Sequence, residues 1–381
     1  MKSIRAFLFI ALAILPASAQ DFKSVRDGVE HAQFARQIKT SEKETLKTAT
    51  VNALRLDLKK ARLDVVHALD AAIGVETTSS IARRHNAFAA INAGFFRLDR
   101  SIFNGESTGV LQIDKGILSE PFPDRIALFI ENKQNESTIA FGHLTLDYIV
   151  RFYSPRANEL IYDVAGINRE RKQNEIILYF NQFHRTTLTD PNGVEIVIRK
   201  NRIAQILDGK GSAEIPSDGY VISASGTMRQ RILRYAKVGI RVVLGGGYAD
   251  QRAEIYKLYR KSEDIVGGVP QLIKNGKIEI TWEQEKSSKS FVETRHPRTA
   301  IGKLKDGRAL LVTVDGRSET SAGMSLQELA EMLLEMGAID AMNLDGGGST
   351  TMFLDGKVVN KPSDKEGERP VSDAILVTLR K

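Results

Sequence analysis

The chain of 381 residues contains no cysteine. That absence excludes disulfides, a thiol nucleophile, a cysteine-based zinc site and a lipid anchor attached through cysteine. Stability must therefore come from a buried core, which a chain of this length can build. Long apolar runs are missing after residue 15, so no later stretch reads as a membrane helix, which needs about 20 apolar residues. Dense Lys/Arg blocks are missing too. The formal charge of +7 is spread along the chain, which speaks for ordinary solubility and against a nucleic-acid partner, while leaving an acidic substrate compatible. The six histidines are scattered without metal-ligand spacing. Nothing in the sequence requires a cofactor; loop carboxylates leave a bound calcium or another divalent cation open. The sequence carries no signature of an oligomeric state.

What is present begins with an export signal. Lys2 and Arg5 precede an apolar run over residues 6–15, and Ala17-Ser18-Ala19 supplies small residues for cleavage. This pattern predicts a signal peptide over residues 1–19 and a secreted or periplasmic product without a membrane span. Residues 20–50 are polar and read as an N-terminal extension, with a short helix expected over 29–38. Residues 51–381 read as one domain of α/β (α+β) class, a mixed β-sheet body with flanking helices and a β-rich middle segment over 126–243.

Hydrophobic alternation predicts strands over 53–58 and 63–68, a helix over 78–85 and a buried strand over 87–91 that runs into Asn92-Ala93-Gly94-Phe95-Phe96. In the final third, residues 298–302 and 308–314 flank Asp306-Gly307, a type I′ hairpin signal. Ser325-Leu326-Gln327-Glu328 forms a capping box, and Leu326, Leu329, Ala330 and Leu333 share one helical face until Gly337 ends it. A strand over 339–344 follows, then a hairpin through Asp355-Gly356 and a last strand over 374–379. Strand, helix and strand in that order place the two strands parallel, with both carboxyl ends on one edge, where open α/β sheets hold ligands.

Two aspartates fall on that edge. Asp315 follows Val314 and precedes Gly316-Arg317; Asp345 follows Leu344 and precedes Gly346-Gly347-Gly348-Ser349. Read separately, each is an ordinary turn. Together they offer two carboxylates for acid and base, or acid and nucleophile, in glycoside cleavage. Arg298, carried by the hairpin partner, reaches the same edge, and with Arg317 it suits a phosphate-bearing substrate. The three glycines let backbone N–H groups approach an anion. Glu106 and His296 are lesser candidates, each matched by a plain loop reading.

The segments 92–96, 298–302, 314–317, 323–330 and 343–349 resemble, in this order, the phosphodiester glycosidase family, over roughly residues 50–381. The resemblance implies hydrolysis of a glycosyl phosphodiester to a sugar and a phosphate monoester, and a glycan or sugar-phosphate substrate, for instance an exopolysaccharide. It implies Asp315 and Asp345 as the catalytic carboxylates. It further implies Arg298, Thr299, Arg317, Gly346, Gly347, Gly348 and Ser349 as substrate contacts, with Asn92 and Gly94 shaping the pocket floor. Family members often carry Asn-Gly-Gly-Phe where Ala93 stands here and Gly-Gly-Gly-Pro where Val269 stands, so both side chains are expected to narrow the pocket. A non-catalytic glycan- or wall-binding module, or a phosphodiesterase that cuts the P–O bond, are the rival readings.

Overall fold

A computed structural model describes residues 21–38, 47–145, 147–153, 159–247 and 253–380; the expected signal peptide lies outside them. Strands dominate and helices are few and short, in keeping with the mixed, β-rich body expected. An eight-stranded central sheet carries, side by side, Lys47–Leu56, Ala309–Val314, Arg298–Leu304 and Ala338–Asn343. A five-stranded sheet built around Ala89–Asn92 and Asp373–Leu379 lies against it. Leu54, Ile301, Leu311 and Met342 of the first share one core with Leu63, Ile91 and Ile375 of the second. Each such side chain, fully buried, contributes about 1.5–3 kcal/mol. The β-rich middle forms its own eight-stranded sheet from Asp147–Tyr153 to Arg241–Gly247, over a separate core of Val150, Ile196, Ile222 and their neighbours.

Residues Val29–Ile38, expected to be helical, form a ten-residue strand. It pairs with Lys47–Leu56 along its whole length, Val29 opposite Leu56 and Ile38 opposite Lys47. A complete ladder of non-local pairing overrides the weak local preference. The central sheet consequently begins before residue 51, because Lys23–Arg26 pairs with this strand in turn.

The crossover read from the sequence is present with one change. Ala309–Val314 and Ala338–Asn343 are not neighbours: Arg298–Leu304 lies between them and is antiparallel to both. The two outer strands are therefore parallel, and their carboxyl ends share one edge with the amino end of the middle strand, where Arg298 faces Val314. The hairpin at Asp306-Gly307 is not type I′, since Gly307 takes a positive φ (87°) and Asp306 does not. Asp306 instead accepts the Arg308 N–H at 3.1 Å. Asp355 and Gly356 both have positive φ, 45° and 84°, as a two-residue type I′ turn requires.

The helix Leu326–Glu335 covers the other face of the central sheet, burying Leu326, Leu329, Ala330, Met332 and Leu333. Its capping box is complete: Ser325 Oγ accepts the Glu328 N–H at 3.2 Å, and Glu328 accepts the Ser325 N–H at 2.9 Å. Among the described residues no helix is long and apolar enough to cross a membrane. Replacing Ser325 with alanine should lower stability by about 1 kcal/mol, read as a shift of the urea midpoint at unchanged slope. A larger loss would show that the cap also holds Met324, whose carbonyl accepts from Arg298.

Candidate active site

Asp315 and Asp345 both leave the carboxyl edge of the central sheet and reach a shared neighbourhood. Asp315 is buried; its Oδ1 accepts Asn360 Nδ2 at 3.2 Å and the Lys361 N–H at 3.0 Å. Asn360 Nδ2 also donates to the Thr350 carbonyl at 3.0 Å, and its Oδ1 accepts the Met352 N–H at 2.7 Å. One side chain thus ties the Asp315 carboxylate to the loop that follows Asp345. Burial pushes the Asp315 carboxyl up, and the Lys361 N–H, Asn360 and the Lys361 charge pull it back.

Asp345 keeps part of its surface accessible, yet burial drives its carboxyl up to about 6, with the Asp373 charge adding to the rise. The Ser349 hydroxyl, the Gly346 N–H and the Arg369 charge oppose it. The Gly346 N–H meets Oδ1 at 2.9 Å. The Ser349 hydroxyl adjoins the carboxyl without hydrogen-bond geometry, and its oxygen is buried with no partner among the described residues. Asp345 is consequently the carboxyl that can hold a proton near neutral pH.

Several expected substrate contacts prove to hold the site from behind. Asn92 is buried; its Nδ2 donates to the Asp345 carbonyl at 2.7 Å, while Oδ1 accepts Thr299 Oγ1 at 2.7 Å and the Thr351 N–H at 3.1 Å. Asn92 and Thr299 are therefore engaged with protein groups. Gly94 gives its N–H to Asp373 Oδ1 at 2.5 Å. Arg298 is buried, with Nε on the Met324 carbonyl at 2.9 Å and Nη2 on the Phe291 and Thr294 carbonyls at 2.8 Å each. Burial and the nearby Arg317 charge bring its guanidinium down to about 10, so it stays cationic and lends the site charge more than donors. Ala93 packs in the core, and Val269 is buried with its carbonyl bound by Asn343 Nδ2 at 2.7 Å.

The glycine loop also differs from its expected role. The N–H groups of Gly346, Gly347 and Ser349 already serve Asp345 Oδ1, the Pro297 carbonyl and the Gly346 carbonyl. An anion nest needs free N–H groups, and these three of the loop are taken. The glycines make room instead. A Cβ on Gly347 would lie 3.0 Å from Arg317 Nη2, and one on Gly348 would collide with Arg369 and Asp364.

His296 stands beside this group, its Nδ1 accepting Arg317 Nη2 at 3.2 Å. Burial first, then Arg298 and Arg317, lower its pKa, which places the remaining ring proton on Nε2. Glu106 sits apart: its contacts are the Glu170 N–H at 3.4 Å and Arg97 at 3.8 Å, and burial pushes it up to about 6. A cavity of about 620 Å³ is lined by Asp64, His67, Asp114 and Asp264 among others, and by neither aspartate of the pair. Among the described residues no group of three or more His, Asp or Glu side chains is arranged to hold a metal ion.

Sequence reading missed Asn360, Lys361, Asp364, Arg369 and Asp373. The first four lie between the Asp355-Gly356 hairpin and the last strand, in a stretch whose composition reads only as turn. The available signal was an Asp364–Arg369 pair in one short loop.

Residues 192–378 match the family model described as phosphodiester glycosidase. The matched segment holds Arg298, Asp315, Arg317, Asp345 and Arg369. The chain is 32% identical over 197 residues to the N-acetylglucosamine-1-phosphodiester alpha-N-acetylglucosaminidase of Mus musculus, covering 48% of this chain and 37% of the mouse protein. It spans about a third of the length of the curated relatives it matches first. A solved structure from Synechocystis superposes with a TM-score of 0.78 at 25% identity, covering 96% of this chain and 64% of the other. One from Burkholderia pseudomallei shares the fold, with a TM-score of 0.74 at 23% identity over 88% of this chain and 75% of the other.

The raised Asp345 carboxyl has a consequence for stability. The folded protein binds this proton more tightly than the unfolded chain, so its contribution is full below about pH 4 and is lost as pH rises through about 6. Asp345→Asn should therefore gain on the wild type between pH 4 and 7, by on the order of 2–3 kcal/mol. Parallel urea curves across that range would refute the shift.

Proposed function

We propose that this chain is an exported hydrolase that cleaves the glycosidic bond of a sugar 1-phosphodiester, releasing free sugar and a phosphate monoester from a cell-surface or exopolysaccharide glycan. The observation that carries this reading is the pair Asp315 and Asp345 at one sheet edge, coupled through Asn360 and the Thr350 carbonyl. The match of residues 192–378 to the phosphodiester glycosidase model supports it, as does the activity named for the mouse relative.

Asp345, with its carboxyl near 6, gives its proton to the oxygen that bridges C1 and phosphorus. The C1–O bond breaks, and its electron pair leaves with the phosphate monoester. Asp315, steadied by Asn360 Nδ2 and the Lys361 N–H, works as the carboxylate on the C1 side. The hydroxyl of one water ends on C1, and its proton restores the acid. Arg298, Arg317, Arg369 and Lys361 stand among Asp315, Asp345, Asp364 and Asp373, and give a substrate anion cations to approach.

The test is release of free sugar from UDP-N-acetylglucosamine and from simple sugar phosphodiesters by the folded protein; no release from any of them sinks the hydrolase reading. Asp315→Asn and Asp345→Asn should each lower kcat by about 10²–10⁴-fold, whereas a binding module would keep its affinity and never turn over. In the wild type, kcat/KM should fall as pH rises above about 6, and Asp345→Asn should abolish that limb. Reaction in ¹⁸O-water should put the label on the sugar; label on phosphate would mean P–O cleavage.

A further inference from the structure

We propose that Arg199, Arg202 and Arg241, with Tyr153 at the end of their row, bind an anionic polysaccharide laid across the strands of the middle sheet. The choice of a polysaccharide rests on the proposed glycan substrate. The row itself is fixed by strand register.

Four strands of that sheet lie side by side in the order Gly193–Arg199, Arg202–Asp208, Arg241–Gly247 and Asp147–Tyr153. Arg199 is directly opposite Arg202, Arg202 opposite Arg241, and Arg241 opposite Tyr153. Residues directly opposite one another share a face of the sheet, so the four side chains stand on one face in a single line. Neighbouring strands are about 4.8 Å apart, which gives a row about 14 Å long. Ile198, Ile203, Val242 and Phe152, adjacent to these residues in the chain, are buried in the core under the opposite face, whereas the four row residues are exposed. The turn Lys200-Asn201 brings the first two arginines together. Both of its residues take positive φ, 47° and 58°, as a two-residue type I′ turn requires. The sequence spreads its cations, and the sheet collects them.

The row destabilises the fold rather than supporting it. Like charges directly opposite each other on a sheet repel, and here two such contacts are consecutive. Of the three arginines, Arg199 alone pairs with a carboxylate among the described residues, Asp218 at 2.5 Å. Arg202 gives Nη1 to the Gly239 carbonyl at 2.9 Å, and the Arg241 guanidinium lies over the Tyr153 ring, 5.2 Å from its centroid. The chain from Gly226 to Arg241, which leads into the row, carries five cations and no carboxylate. A local rule broken without gain to folding points to binding.

The chemistry of the row selects its ligand. All three cations are arginines, whose planar forks pair with carboxylate, sulfate or phosphate oxygens two at a time. Stacking on Tyr153 holds the Arg241 fork flat and leaves its N–H edges open to an oxyanion. The exposed ring beside it gives the C–H face of a sugar an apolar surface. A linear polymer with acidic groups at intervals meets the row charge by charge. The middle sheet is separate from the central sheet that bears Asp315 and Asp345, so polymer held here leaves the carboxyl pair free.

The experiment is affinity electrophoresis of the full-length chain in gels containing polygalacturonate, with neutral dextran in a parallel gel. The wild type should be retarded by the first polymer and not by the second, and less so as salt is raised, because exposed charges are screened. Arg202→Gln/Arg241→Gln should weaken binding by about tenfold or more, the range for loss of charge-assisted hydrogen bonds. The same variant should keep or raise the urea midpoint, since it relieves repulsion. Lys277→Gln/Lys305→Gln removes as much charge from exposed positions of the central sheet and its hairpin, and should leave binding unchanged. No retardation of the wild type, wild-type affinity in the arginine variant, or equal loss in the lysine variant overturns the surface. A lowered urea midpoint in the arginine variant also overturns it, by making the row structural. Row-dependent binding to phosphatidylglycerol vesicles without binding to polygalacturonate overturns it in favour of a membrane. Row-dependent retardation in a protein that releases sugar from no phosphodiester leaves the surface standing and removes the hydrolase reading. Release of sugar without retardation does the reverse.

Discussion

The side-chain amide of Asn92 is the constraint on which the rest of the site depends. It has three partners on three different parts of the fold: the Asp345 carbonyl, the Thr299 hydroxyl of the central sheet and the Thr351 N–H beyond the glycine loop. Asn92 itself belongs to the second sheet, opposite Ala374. Two sheets and a loop are therefore registered by one buried group, and the Asp345 N–H on the adjacent Ala93 carbonyl at 2.9 Å completes the lock. A buried amide with fewer partners would cost free energy; with its oxygen accepting two bonds and its nitrogen donating one, it holds a single geometry.

From this junction the electrostatics follow. Asp345 is pinned by its backbone at the seam between sheets, where burial outweighs the donors around it and favours the protonated carboxyl. Asp315, one strand-end away, receives two donors from a different loop. Similar residues thus experience different surroundings, and differing surroundings are what divide labour between paired carboxyl groups. The arginines show the same division. Arg298 is held by three carbonyls in the interior, while Arg317 stands exposed with no carboxylate partner among the described residues.

Much of this architecture was legible in the sequence where local chemistry is strong. The Ser325–Glu328 capping box, the Asp355-Gly356 turn and the strand-end positions of Asp315 and Asp345 are written in residue type and spacing, and they are where the sequence placed them. The helix expected at 29–38 became a strand because its partner lies 47–56, beyond any local window. Arg298 reaches the expected edge, but which way its guanidinium turns depends on the carbonyls of Phe291 and Thr294, which no periodicity announces. The glycines after Asp345 were read as an anion nest, and the structure gives the N–H groups of Gly346 and Gly347 other acceptors. What the glycines accommodate, Arg317 and Arg369, comes from both sides in the chain, and long-range contacts of that kind leave no local pattern.

One segment carries a consequence of its own. Asn360 and Lys361 hold Asp315, Asn360 also holds Thr350, and Asp364 with Arg369 closes over Gly348. The Asp315 carboxylate and the backbone that follows Asp345 are thus tied to one surface loop as well as to the sheet that bears them. In glycoside cleavage the gap between two carboxyl groups selects retention or inversion of configuration. Adding or deleting a residue between 360 and 369 should therefore move the Asp315 carboxylate against the loop after Asp345, with both aspartates and every strand left as they are.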